Sequence, residues 1–220
     1  MISENKLSIP AGSEVIQGDL SGPPDPQGTV IFAHGSGSSR HSPRNRYVAD
    51  CLRQAGLATL LLDLLTLEEE EVDNRTLEYR FDIDLLASRL VSATDWVLTH
   101  SRLSSVPVGY FGASTGAAAA LVAAAQRPTM VQAVVSRGGR PDLAAGALRE
   151  VTAPTLLIVG ALDHQVVELN CYAATLIPGS TRIEVVSGAT HLFEEPGALS
   201  RVALLAREWF EQNLIHRRVA

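Results

Sequence analysis

The chain has 220 residues, of which 46% are apolar and 19% charged, with a formal net charge of −6. That size and apolar content suit a single domain spanning residues 1–220 with a substantial core, and the acidic balance argues against nucleic acid or an anionic membrane surface as the main partner. No uncharged apolar run is long enough to span a bilayer, and the stretch from Met1 to Lys6 has no basic segment followed by an apolar one, so a cytoplasmic protein without a signal peptide is expected.

Apolar runs alternate with helical patterns along the chain, the signature of a mostly parallel sheet covered on both faces. Residues 7–9 and 14–19 read as a hairpin turning at Gly12, and the proline-rich stretch 22–28 as a stiff loop. Residues 29–33 form a buried strand ending at His34-Gly35, residues 45–55 a helix stopped by Gly56, and residues 57–62 a second buried strand. The acidic stretch 68–71, with Asp73, reads as a solvated surface loop. Residues 82–100 carry the longest amphipathic pattern, with Ile83, Leu86, Leu90, Ala93 and Val97 on one face. Strand 108–111, an alanine-rich helix 114–126, strand 132–136, a short segment 141–149, strand 155–160, helix 167–175, strand 182–187 and helix 196–213 follow. The expectation is an α/β protein with about eight strands, mostly parallel, and helices on both faces. The connection 137–153 leaves no room for a cap domain, so an open site suited to small or polar substrates is expected.

Three residues carry the chemistry. Ser114 lies in Gly112-Ala113-Ser114-Thr115-Gly116, a G-x-S-x-G sequence between a strand pattern and a helix pattern. A nucleophile elbow needs that context: the tight turn exposes the hydroxyl at the carboxyl edge of a sheet, and side chains two positions either side would collide. The pentapeptide alone is weak, but Asp163 and His191 each follow a later strand, in the order serine, acid, histidine of α/β-hydrolases. His191 would act as general base, and Asp163 would hold its tautomer; Asp163 also suits a helix N-cap, and Asp142 is the competing acid. Two backbone N–H donors are needed for an oxyanion, assigned to Thr115 and to Ser36 in the glycine- and serine-rich loop after the first buried strand, with Gly37 as second choice. That loop begins like a dinucleotide-binding turn, but Arg40 stands where the last glycine belongs.

The remaining histidines read as structural or superficial: His34 beneath the oxyanion turn, His164 at the rim, and His41, His100 and His216 on the surface. No metal-ligand spacing is present and no cofactor is expected; Cys51 and Cys171 read as plain thiols. Arg40, Arg44 and Arg46 follow the oxyanion loop, and Arg137 and Arg140 follow strand 132–136. Either they bind an anionic substrate group, Arg40 and Arg137 together with Gly37 being the candidates, or they pair with local carboxylates such as the 68–71 run.

The stretches around Phe32 to Arg40, Tyr110 to Gly116, Val135 to Asp142 and Ala189 to Gly197 resemble a dienelactone hydrolase-like α/β-hydrolase of a serine-nucleophile subgroup. The resemblance covers essentially the whole chain and implies an α/β-hydrolase fold. Some relatives carry a fused phosphoribosyltransferase domain, which this sequence does not include. Dienelactone hydrolases proper use cysteine at the elbow, so Ser114 points to general carboxylic esters. The resulting expectation is a serine hydrolase, monomeric or homodimeric, that cleaves small esters through an acyl-enzyme. Thioester, lactone or acyl-transfer chemistry, or a non-catalytic binding protein of the same fold, are the alternatives.

Overall fold

The apolar runs become eight strands: β1 (Ile2–Ala11), β2 (Glu14–Gly22), β3 (Thr29–Ala33), β4 (Ala58–Leu62), β5 (Val108–Ala113), β6 (Val131–Arg137), β7 (Thr155–Gly160) and β8 (Thr181–Val186). The structure is a computed structural model that describes residues 2–100 and 102–215, so His216 lies outside it. The strands hydrogen-bond in the order β1-β2-β4-β3-β5-β6-β7-β8. β1 and β2 pair antiparallel, as do β2 and β4, and every pair from β4 to β8 is parallel. Parallel neighbours need long crossovers, and helices supply most of them: α1 (Pro43–Gln54), α2 (Leu67–Thr76), α3 (Ile83–Thr99), α4 (Thr115–Gln126) and α5 (His164–Ala174); α6 (Ala198–Leu214) follows the last strand.

Because successive side chains on a strand point to opposite faces, each central strand feeds two cores. In β3, Ile31 and Ala33 join one cluster with Tyr110, Leu90 and Leu121, whereas Val30 and Phe32 join another with Phe111, Leu52 and Phe210. Thus α3 and α4 cover one face and α1 and α6 the other. This two-sided burial explains why the central strands read as continuous apolar runs rather than alternating ones. Local capping sets helix starts: the Ser42 hydroxyl accepts the Asn45 N–H ahead of α1, and the Asp82 carboxylate accepts the Leu85 N–H ahead of α3.

One element departs from expectation. The acidic stretch is on the surface, with Glu68, Glu70 and Glu71 exposed, but it is the helix α2 rather than a loop, started by a capping box in which the Thr66 hydroxyl accepts the Glu69 N–H and the Glu69 carboxylate accepts the Thr66 N–H. Asp73 is buried, receiving the Arg80 backbone N–H at 2.9 Å and its Nε at 2.7 Å. Glu69 accepts from Arg89 Nη2 at 2.6 Å. Arginine partners at Glu69 and Asp73 anchor the inner side of this helix, while its other glutamates stay in water. The β6–β7 connection contains only a 3-10 segment, Pro141–Glu150.

Candidate active site

Parallel pairing aligns the carboxyl ends of β3, β5, β6, β7 and β8, and the loops that leave them meet there. Ser114 follows β5 directly and starts α4 with φ 51° and ψ −120°. A non-glycine residue held there stores roughly 1–3 kcal/mol of strain, tolerated when the surroundings over-determine the turn. They do so here: the Ser114 N–H donates to the Arg137 carbonyl at 3.2 Å, while the Ala117 and Arg140 N–H groups donate to the Ser114 carbonyl. The flanking glycines are required by approach distance. A Cβ on Gly112 would sit 2.4 Å from Ala117 Cα, and one on Gly116 would sit 2.3 Å from the His34 carbonyl oxygen.

His191 is carried by the turn after β8, whose neighbours Ala189 and Phe193 are buried in the core. Gly160 lets this turn lie against the acid loop, since a Cβ there would be 2.5 Å from the Ala189 carbonyl oxygen. The Leu162 N–H then donates to that carbonyl at 2.9 Å. The result is a 2.6 Å hydrogen bond from His191 Nδ1 to Asp163 Oδ2. Asp163 occupies the N-cap position of α5 yet makes no side-chain cap bond, so its carboxylate serves the imidazole instead. Asp142, the competing acid, is held bidentately by Arg140.

Ser114 and His191 line one cavity of about 210 Å³, together with Ser36, Arg44, Asn45 and Arg137. Nδ1 of His191 is engaged by Asp163, which leaves Nε2 as the nitrogen able to take a proton. Ser36 also borders a neighbouring cavity, which Gly37 and Thr115 line as well, so of the two assigned oxyanion donors Ser36 faces both spaces and Thr115 the neighbouring one. A Cβ on Gly35 would lie 3.1 Å from Ser114 Cβ, which shows how closely this loop passes the hydroxyl-bearing residue. Gly37 borders only the neighbouring cavity, with φ 67°. That second space is walled by α2 and the turn after it, through Glu70, Asp73 and Arg80. This wall belongs to the neighbouring space; the Ser114 cavity itself has no lining residue from α2. The T-x-x-E signature at Thr66 and Glu69 was the available signal for this wall.

The arginines separate sharply. Arg40 does not border the Ser114 cavity; its backbone N–H and guanidinium are taken by Asp63, and its Nε by Asp19 at 3.4 Å. The structure thus removes Arg40 from the candidate substrate contacts, because two carboxylates satisfy it locally. Arg46 pairs with Asp19, Arg140 with Asp142, and Arg44 with Glu194. Arg137 alone of this group has no carboxylate partner among the described residues, although it is 8% exposed. Burial, and secondarily the charge of Arg44, lowers its pKa to about 10, which still leaves it cationic at neutral pH. His34, buried beneath the oxyanion loop, uses both ring nitrogens: Nδ1 bonds the Gly35 carbonyl at 2.9 Å and Nε2 accepts the Leu64 N–H at 3.1 Å. Among the described residues no three His, Cys, Asp or Glu side chains converge as a metal site.

An eight-stranded, mostly parallel sheet with helices on both faces and a strained serine at a strand-to-helix elbow defines an α/β-hydrolase fold. Solved structures agree. A dienelactone hydrolase from Anabaena variabilis is 59% identical, with 97% of this chain and 98% of that one covered and a TM-score of 0.94. At 14% identity, Est1E from Butyrivibrio proteoclasticus superposes with a TM-score of 0.80 over 95% of this chain and 98% of its own, a likeness of fold alone. The chain belongs to the dienelactone hydrolase family. It is also 58% identical over 213 residues to Mycobacterium tuberculosis proteins provisionally named phosphoribosyl transferases; this match covers 97% of the chain and 47% of theirs, so the chain spans about half their length. No protein-family model matches it.

Proposed function

We propose that this protein is a serine hydrolase that cleaves small carboxylic esters through an acyl-enzyme on Ser114, with no cofactor. The observation that carries the reading is the 2.6 Å hydrogen bond to Asp163 made by His191, which lines one cavity with Ser114. In the first half-reaction Ser114 Oγ bonds to the ester carbonyl carbon while His191 Nε2 takes the hydroxyl proton. The developing oxyanion is held by the Thr115 and Ser36 N–H groups, and Asp163 stabilises the imidazolium. Collapse breaks the bond to the alcohol oxygen, which leaves with the proton from His191. A water then repeats the sequence, releasing the acid and restoring Ser114. The 210 Å³ space favours short acyl or alcohol groups.

The match covers 47% of the mycobacterial relatives, so their transferase name belongs to proteins of about twice this length and assigns no activity to this chain. Family membership supports hydrolytic chemistry, and serine in place of the cysteine of dienelactone hydrolases proper supports esters over dienelactones. Turnover of p-nitrophenyl acetate and labelling by a fluorophosphonate test the reading directly. Both should be lost in Ser114→Ala. Activity or labelling that survives the substitution would remove Ser114 from the mechanism, and silence of the unaltered protein toward both reagents would favour a binding role.

A further inference from the structure

The Ser114 cavity contains a cation that nothing among the described residues satisfies. Arg137 ends β6 opposite Ala113, so sheet register fixes it beside the serine. Its Nε and Nη1 are buried without a hydrogen-bond partner. Arg44 borders the same cavity; one of its nitrogens meets Glu194 at 2.9 Å, but its Nε is likewise buried and unpartnered. A buried guanidinium without a counter-charge, beside a second one, destabilises the folded chain, and every other arginine of the group is paired. Such an arrangement persists where a ligand supplies the missing charge, and the planar guanidinium suits an oxyanion with two acceptor oxygens.

We propose that Arg137, with Arg44 beside it, binds an anionic oxygen group, a carboxylate or a phosphate, on the ester that Ser114 attacks. The substrate class is then a small ester bearing one acidic substituent. Inorganic phosphate and succinate report the two anion chemistries without turnover. This proposal rests on the serine-hydrolase reading for its substrate, but the anion site can be tested apart from it.

The binding arm titrates phosphate and succinate calorimetrically into the full chain carrying Ser114→Ala, at low ionic strength. At least one should bind, with affinity falling about tenfold to a hundredfold when Arg137→Met is added, as for loss of a charged hydrogen-bonding partner. Arg137→Lys, which keeps charge but not the fork, should restore only part of the loss. The kinetic arm compares 4-acetoxybenzoate and 4-acetoxyphenyl phosphate with neutral 4-acetoxybenzamide, and mono-p-nitrophenyl adipate with p-nitrophenyl hexanoate. For at least one pair the anionic-to-neutral ratio of kcat/KM should fall about tenfold or more in Arg137→Met. If that variant does not fold, Arg137→Lys and Arg44→Met carry the same comparisons. Absence of anion binding, or affinities and ratios that ignore Arg137 and Arg44, overturns the proposal even if neutral esters are hydrolysed. Anion binding that depends on Arg137 in a protein that hydrolyses no ester leaves the site standing and sinks the hydrolase reading.

Discussion

His34 and His191 both follow strands at the same edge of the sheet, one after β3 and one in the turn after β8. Their surroundings leave them different capacities. His34 is buried, with Nδ1 bonded to Gly35 and Nε2 to the Leu64 N–H, so neither nitrogen is free to exchange a proton. His191 is half-exposed, with only Nδ1 held by Asp163 and its ring bordering the Ser114 cavity. An imidazole becomes a base or a strut according to what its second nitrogen meets. The same rule separates Arg137 from Arg40: the residue type is shared, and the neighbours decide what is left to bind.

The largest test of this contrast is removal of the base. His191→Ala should lower kcat for p-nitrophenyl acetate by about a hundred-thousandfold or more with the fold retained, and His34→Ala should lower it by far less. Comparable losses in the two folded variants would erase the distinction. Asp163→Asn should cost about ten-thousandfold in kcat, since the wrong imidazole tautomer would be held, whereas Asp142→Asn should leave the rate near that of the unaltered enzyme.

Next in size is stability. His34→Ala strips partners from the buried Leu64 N–H and Gly35 carbonyl, and should cost about 3 kcal/mol in urea unfolding. His191→Ala, at a half-exposed site, should cost much less. Acidity sharpens the same pair. Burial holds the His34 pKa below its ordinary value of 6.5, so the unfolded chain binds the extra proton more readily. The resulting stability is complete above about pH 6.5 and drains away as pH falls below it. Urea midpoints measured between pH 8 and pH 5 should fall less steeply in His34→Ala than in the unaltered chain. The smallest effect is expected at the wall of the second cavity, where Thr66→Ala should remove about 1 kcal/mol by breaking the capping box of α2.

Much of this molecule was legible from local pattern. Two-sided burial makes the central strands continuous apolar runs, and glycines at 112 and 116 mark the elbow because backbone crowding forbids any Cβ there. Chain order singled out a serine, an acid and a histidine, of which the acid and the histidine meet in a hydrogen bond. Other features were not legible. The solvated run 68–71 looks like a loop until Arg89, paired with Glu69, and Arg80, paired with Asp73, are seen to anchor it as α2. Gly160 could have been read as the contact between the acid and histidine loops only by knowing that β8 lies beside β7.

Residue type and spacing, then, determined the strand and helix alternation and the nucleophile turn, because these depend on side-chain periodicity and on steric limits within a few residues. Tertiary structure decided which carboxylate reaches His191, that Arg40 is neutralised by Asp63 and Asp19, and that Arg137, beside Ser114, has no carboxylate partner among the described residues. Charge compensation is set by groups far apart in the chain, and only sheet register and loop packing bring them within reach or keep them away.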